Sequence, residues 1–205
     1  MAVTSSSCPE FLLRASLELI AKEGYFAVSM RQLAKRAGIQ PGSIYYHVAS
    51  KQQLLQELLL DILDQRLVAW HAWGEPQTLE SYITFALDRQ HRLPLEETLL
   101  HYELRHLETP YRHPVEQALE RLQRPLRRII EAGQRGGEYD IQDATMGVDM
   151  VMAIIQSTVT LRQRQRHVDE RLLTDNAVHL SRTLLARCIR PLRQAAPIAV
   201  IARHG

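Results

Sequence analysis

The chain has 205 residues, 45 % of them hydrophobic and 23 % charged, with a formal net charge of +2 at pH 7. Those proportions are ordinary for a globular protein and exclude a chain disordered throughout. The two cysteines, Cys8 and Cys188, are too few for a disulfide framework or a zinc site of their own, so a reducing, cytoplasmic setting is expected. Charge is uneven along the chain. Residues 1–55 carry six Lys or Arg (Arg14, Lys22, Arg31, Lys35, Arg36, Lys51) against three Glu, and the other twenty acidic residues lie between 56 and 175. A basic end on an acidic body points mildly to a polyanionic partner. The first ten residues lack the basic start and apolar core of a leader. No apolar run approaches the roughly 18 residues of a spanning helix, so no membrane is expected among the partners.

Helical periodicity dominates from the start, and no stretch alternates apolar and polar residues as a strand would. Three early segments open with Ser and place Glu or Gln three residues on: Ser7-Cys8-Pro9-Glu10, Ser29-Met30-Arg31-Gln32 and Ser50-Lys51-Gln52-Gln53. Each fits a capping box, in which the hydroxyl accepts a free N–H and the later side chain reaches back. The first helix is predicted over 8–23, ending at Gly24, and the second over 30–37 with Leu33, Ala34 and Ala37 inward. A short third follows over 41–47 with Pro41 in its first turn, and a fourth over 51–73. Five more are predicted, over 78–92, 95–107, 114–135, 143–165 and 169–189. Pro94, Pro110 with Pro114, and Gly133 to Gly137 mark boundaries; the boundary near His167 carries no breaker.

The informative window runs from Ser29 to Lys51. Ala34 is small enough for two helices to approach, Gly38 tolerates positive φ at the turn between them, and Ile44 pins the second helix to the first. Outward positions are Gln40, Pro41, Gly42, Ser43, Tyr45 and Tyr46, groups suited to a major groove. Tyr46 and His47 can donate to phosphate. Lys51, in the first turn of the next helix, opposes the helix dipole unless an anion sits there.

Gly24-Tyr25, Ser29-Met30-Arg31-Gln32-Leu33-Ala34, Ala37-Gly38-Ile39, Ser43-Ile44-Tyr45-Tyr46-His47-Val48 and Ser50-Lys51-Gln52-Gln53-Leu54 together resemble the signature of TetR-family regulators over roughly residues 10–58. The resemblance implies an all-α chain with a three-helix helix-turn-helix domain over 8–54 and a larger helical ligand-binding and dimerisation domain over 55–190; as a chain terminus, 191–205 is expected to be a flexible tail. It implies a sequence-specific repressor that binds a palindromic operator in double-stranded DNA as a homodimer and is released by a small-molecule effector. By position Pro41, Gly42, Ser43 and Tyr45 take the recognition roles, with Gln40 beside them. Ser29, Tyr46, His47 and Lys51 take the backbone-clamping roles, and Arg31 joins the DNA-binding set. Gln40 and Val48 depart from the usual small polar cap and Phe.

Beyond residue 55 the resemblance is looser. Thr109-Pro110-Tyr111-Arg112, then 129–139 and 143–158, are similar to members that sense acyl-thioesters, which implies an apolar or acyl-thioester effector. Candidate pocket residues are Trp70, Trp73, Tyr82, Phe85, Tyr102, Met150, Gln156 and Thr160, each of which also suits plain core packing. Met146, Ile154, Leu173, Val178, Leu180 and Leu184 are the candidate dimer interface, because the last two helices are too apolar for one buried face. A metal-binding helical bundle is the rival from another class. Glu97, His101, Glu103 and His106 lie close together, and Glu103 with His106 has Glu-x-x-His spacing, yet a di-iron bundle needs a second such pair and the chain has none. No nucleophile elbow, His-Glu-x-x-His or phosphate loop points to an enzyme, and no cofactor is called for.

Overall fold

The computed structural model describes residues 8–74, 76–165 and 167–186; the tail over 191–205 and Ser7 lie outside them. The described residues are all-α. Eight α-helices run in the order α1 (Glu10–Glu23), α2 (Met30–Arg36), α3 (Lys51–Ala72), α4 (Leu79–Arg92), α5 (Pro94–Tyr102), α6 (Thr109–Arg135), α7 (Ala144–Arg164) and α8 (Glu170–Ala186). Two 3-10 turns, Ser43–Tyr46 and Leu104–His106, lie between them.

Helix boundaries follow the local chemistry. At α2 both halves of the box form: Ser29 Oγ accepts the Gln32 N–H and Gln32 Oε1 accepts the Ser29 N–H. At α3 Ser50 Oγ accepts from the Gln53 N–H at 3.1 Å, but Gln53 accepts from Ala49, one residue earlier than a capping box requires. The first helix starts at Glu10 rather than Cys8, with extended Pro9 at its cap, whose carbonyl accepts the Leu12 and Leu13 N–H groups. Gly24 and Gly38 have φ of +85° and +74°, a region where a Cβ is strained, so each ends its helix as predicted.

Three corrections concern the second half. The helix expected over 95–107 stops at Tyr102 and continues as a 3-10 turn. The helix expected from 114 begins at Thr109 and runs through Pro114 and Pro125. Proline forfeits one hydrogen bond to the residue four earlier, and the surrounding packing on α3 and α7 outweighs that loss. Near His167, Asp169 supplies the missing signal, its carboxylate accepting the Arg171 and Leu172 N–H groups ahead of α8.

Buried side chains form two clusters. The first joins α1, α2, the turn at Ser43–Tyr46 and the first half of α3 to Leu99, Leu107, Val115, Ala118 and Leu122. The second gathers Trp70, the inner face of α4, the later part of α6, and α7 with α8. The N-terminal helices therefore share their core with α5 and α6, and α3 passes through both clusters. This continuity ties the first fifty residues mechanically to the rest. One expectation about polarity needs correcting: α7 is long and apolar enough by length and composition to cross a membrane, with mean hydropathy 1.4, because Gly, Ala, Ser and Thr fill its polar positions.

Candidate nucleic-acid interface and effector region

The turn at Ser43–Tyr46 is built from the inside outward. Ile44 is fully buried beside Leu33 and Ala34 of α2, so the segment hangs on one apolar anchor. It was expected as a short α-helix over 41–47, but four residues close as a 3-10 turn, with the His47 N–H donating to Ile44 O at 3.0 Å. Anchoring Ile44 turns its neighbours out. Tyr45 and Tyr46 are 58 % and 87 % exposed, Gln40, Pro41 and Gly42 are exposed, and Ser43 is half-buried. Ser29 and Arg31 are exposed at the start of α2, and Arg31, Lys35 and Gly38 share a shallow groove with Gln40 and Pro41. His47 is half-buried and meets the Phe11 ring edge-on at 5.9 Å, which fixes the turn against α1. Of the predicted DNA-binding residues, Arg31, Gln40 and Pro41 line one groove, and Ser29, Gly42, Tyr45 and Tyr46 are exposed.

Lys51 is the member whose setting differs from expectation. Its ammonium donates to the Tyr25 carbonyl and lies 4.2 Å from the centre of the Tyr25 ring. Burial lowers its pKa, and nearby Glu103 opposes that shift. A partner inside the protein therefore accounts for a cation in the first turn of α3. The ammonium still has two further N–H bonds to offer.

Glu103 belongs to the same junction. It is buried, accepts the Tyr25 N–H at 3.2 Å, and lies 3.5 Å from His106 Nε2. Gln52 extends the junction, donating to His106 O and accepting the Glu108 N–H. The rival metal reading is therefore corrected: Glu103 and His106 link the N-terminal helices to the turn after α5. Glu97 is paired with Arg66, and His101 is exposed against Tyr102. Among the described residues no three His, Cys, Asp or Glu converge.

The pocket candidates divide into two groups. Trp70, Tyr82 and Phe85 are buried and packed edge-on, Trp70 lying 5.0 Å from Tyr82 and 5.3 Å from Phe85. Trp73 meets Phe85 at their rim, and Met150 packs on the same cluster. The others stand apart. The Tyr102 hydroxyl donates to Gln163, Thr160 is half-buried, and exposed Gln156 lines a separate cleft with Leu104 and Arg112. A cleft of about 620 Å³ lies elsewhere, between α4 and α8, lined by Glu80, Leu87, His91, Glu170, Val178 and Arg182 among others.

Sequence reasoning missed the buried cations. Arg66 follows Leu55, Leu59 and Ile62 and precedes Trp70 on one stripe of α3; it pairs with Glu97 of α5. Arg89, on the stripe of Tyr82 and Phe85, pairs with Glu96 at 2.9 Å. Arg162 of α7 donates to Gln90, Thr158, Leu87 O and Glu170. Each sits at an apolar position of its helical period, and that misplacement was the available signal. Burial lowers the Arg66 pKa to about 10, the neighbouring Arg89 charge adding to the shift, so the Arg66 guanidinium stays charged at neutral pH. Burial also pushes Tyr82 up to about 12.

On the last two helices Met146, Leu180 and Leu184 face outward, joined by Leu161 and Leu172. Ile154 and Leu173 are half-buried. Val178 is corrected: it is 8 % exposed and packs inward on the second core, because it shares the face of Ala177, Ser181 and Leu185.

Against known proteins, residues 12–58 match the profile of bacterial regulatory proteins of the tetR family. The class D tetracycline repressor protein of Escherichia coli is 30 % identical over 171 residues, spanning 80 % of this chain and 73 % of that protein. Among solved structures, a tetR-family regulatory protein from Rhodococcus RHA1 superposes with a TM-score of 0.74 at 22 % identity, covering 91 % of this chain and all of that one. FadR of Bacillus subtilis, solved with stearoyl-CoA, gives a TM-score of 0.73 at 21 % identity over 83 % of this chain and 96 % of its own.

Proposed function

This chain belongs to the tetR family of bacterial regulatory proteins, and we propose that it represses transcription by binding a palindromic operator as a homodimer that a small-molecule effector releases. It is a DNA-binding transcription regulator rather than an enzyme. The observation that carries the proposal is the solvent-facing surface from Gln40 to Tyr46, held by one fully buried residue, Ile44, and flanked by the capped start of α2.

Residues 8–54 act as the reading head and 55–190 as the effector-binding and dimerising body. Ser43, Tyr45, Pro41 and Gly42, with Gln40, meet base edges. Ser29, Arg31, Tyr46, His47 and the remaining N–H groups of Lys51 hold phosphates and set the register. Two heads then meet successive major grooves about 34–36 Å apart. The partner copy covers the outward leucines of α7 and α8, and the protein works in the cytoplasm, where the operator is. The aromatic group around Trp70 and Tyr82 receives an apolar or acyl-thioester effector, a choice favoured by the likeness in fold to FadR. Because α3 spans both cores, effector binding tilts it and moves Ser50 with the head beyond it, which changes the separation of the two heads.

The test is selection of genomic fragments by the purified protein, followed by salt titration on the enriched fragment. An inverted repeat, bound tightly and released steeply as salt rises, is expected. Failure to enrich any fragment at low salt would overturn the proposal.

A further inference from the structure

We propose that Arg66, Arg89 and Trp70 form the recognition point for a neutral carbonyl oxygen on an otherwise apolar effector. The inference rests on the effector reading above and names the group that is read.

Three buried N–H donors in this region have no partner in the protein: Arg66 Nε, Arg89 Nε and Trp70 Nε1. Trp70 is only 1 % exposed, and Arg66 and Trp70 are one helical turn apart on α3, so their side chains lie on one face. Arg66 and Arg89 pair with Glu97 and Glu96, neighbouring residues of α5, and Tyr82 packs edge-on against the Trp70 ring. Buried donors are almost always bonded, and unbonded ones cluster where a ligand or water completes the set. All three are donors, so what completes them must accept.

Charge balance then separates the acceptors. The other nitrogens of the two guanidiniums are already held by Glu97 and Glu96, two cations against two anions in a buried layer. No positive charge is left over for a carboxylate, which would have to enter unneutralised at a large desolvation cost. A carbonyl oxygen accepts N–H bonds through its two lone pairs and adds no charge. Around the donors stand Tyr82, Phe85 and the Trp70 ring, walls for an apolar chain or ring system. Arg66 and Trp70 also sit on α3, whose first turn follows the reading head directly, so a group bound here acts on the helix that must move.

The experiment uses the full chain and three probes of one length: methyl octanoate, sodium octanoate and octane. The Trp70 indole and the arginine Nε–H signals are followed by 15N NMR. Methyl octanoate is expected to shift all three, with octanoate and octane at least about tenfold weaker, the factor of one hydrogen bond. Trp70→Phe keeps the ring and deletes the donor, and should bring the ester down to the level of octane. Tighter binding of octanoate, equal shifts from octane, an unchanged preference in Trp70→Phe, or no shift with any probe would each overturn the inference. Fragment enrichment without probes remains the separate test of the regulator reading, so the two can fail independently.

Discussion

Tyr46 and Ser43 stand three residues apart in one 3-10 turn, yet they differ in exposure and in the roles proposed for them. Tyr46 projects fully into solvent, while Ser43 is half-buried near the start of the turn. Tyr46→Ala should therefore weaken binding to every DNA sequence by a similar factor, about 1 kcal/mol, and leave folding unchanged. Ser43→Ala should cost operator binding alone, about 1–3 kcal/mol, and narrow the gap to random DNA. Titration of both variants against operator and scrambled duplexes distinguishes the roles; equal losses on both duplexes for Ser43→Ala would remove it from base reading. Two roles are proposed for Lys51. Lys51→Met should lower the slope of log affinity against log salt by about 0.9 per head if the ammonium meets a phosphate. It should also lower stability, because the Tyr25 carbonyl loses its donor. A lost carbonyl bond with an unchanged salt slope would make Lys51 a purely internal residue.

At the scale of elements, most of what the sequence offered was local. The capping pair at Ser29 and Gln32, the positive-φ glycines at 24 and 38, and the stripe that buries Leu33, Ala34 and Ile44 were readable because each depends on neighbours within a few positions. What was not readable depends on distant partners. Pro110 with Pro114 looked like a boundary, but α6 packs along α3 for much of its length and continues through Pro114 and Pro125. Arg66, Arg89 and Arg162 went unnoticed in the sequence because their partners Glu97, Glu96 and Gln90 come from other helices. Val178 was placed on the wrong face because periodicity gives a stripe but not what the stripe meets. Gly133 shows the same dependence on a distant ring. A Cβ there would lie 2.2 Å from the Tyr139 side chain, which folds back over α6 before α7 begins. Gly133→Ala should destabilise by about 1–3 kcal/mol, and adding Tyr139→Ala should relieve the clash so that the two losses do not add. Additive losses in urea unfolding would show that the ring is not what requires glycine.

The join between α7 and α8 should respond to acid. Glu170 accepts from Arg162 and lies 3.3 Å from His91 Nδ1, and the Arg162 hydrogen bond holds its carboxyl below the usual 4.5. A folded-state value below the unfolded one stabilises above about 4.5, and that contribution is lost as pH falls through the lower, folded value. Glu170→Gln should be less stable than the parent at neutral pH, and the difference should shrink as the solution is acidified. A difference constant between about pH 6 and about pH 3 would mean that Arg162 gains nothing from the charge.

Over the whole molecule the outward leucines matter most. Leu172, Leu180 and Leu184 of α8 are 59 %, 52 % and 38 % exposed, and Met146 and Leu161 of α7 are 46 % and 40 %. Large apolar side chains gathered on the last two helices of one monomer are costly in water. A second copy can cover them by presenting the same helices about a two-fold axis, since such an interface is self-complementary. In the proposed dimer the apolar character of α7, enough by composition for a membrane, would be met by two burials: one face on the core of its own chain and the other on the partner. Leu180→Glu places a charge on that face without touching the monomer core, because its neighbours Ala177, Val178 and Ser181 carry the inward packing. Light scattering should give half the parent mass at micromolar concentration, and circular dichroism should show unchanged helix. Operator affinity should fall by orders of magnitude, since one head alone must hold a half-site without the second. A dimeric Leu180→Glu protein would place the interface elsewhere. A monomer that bound the full operator as tightly as the parent would remove the reason for two heads, and with it the palindromic operator.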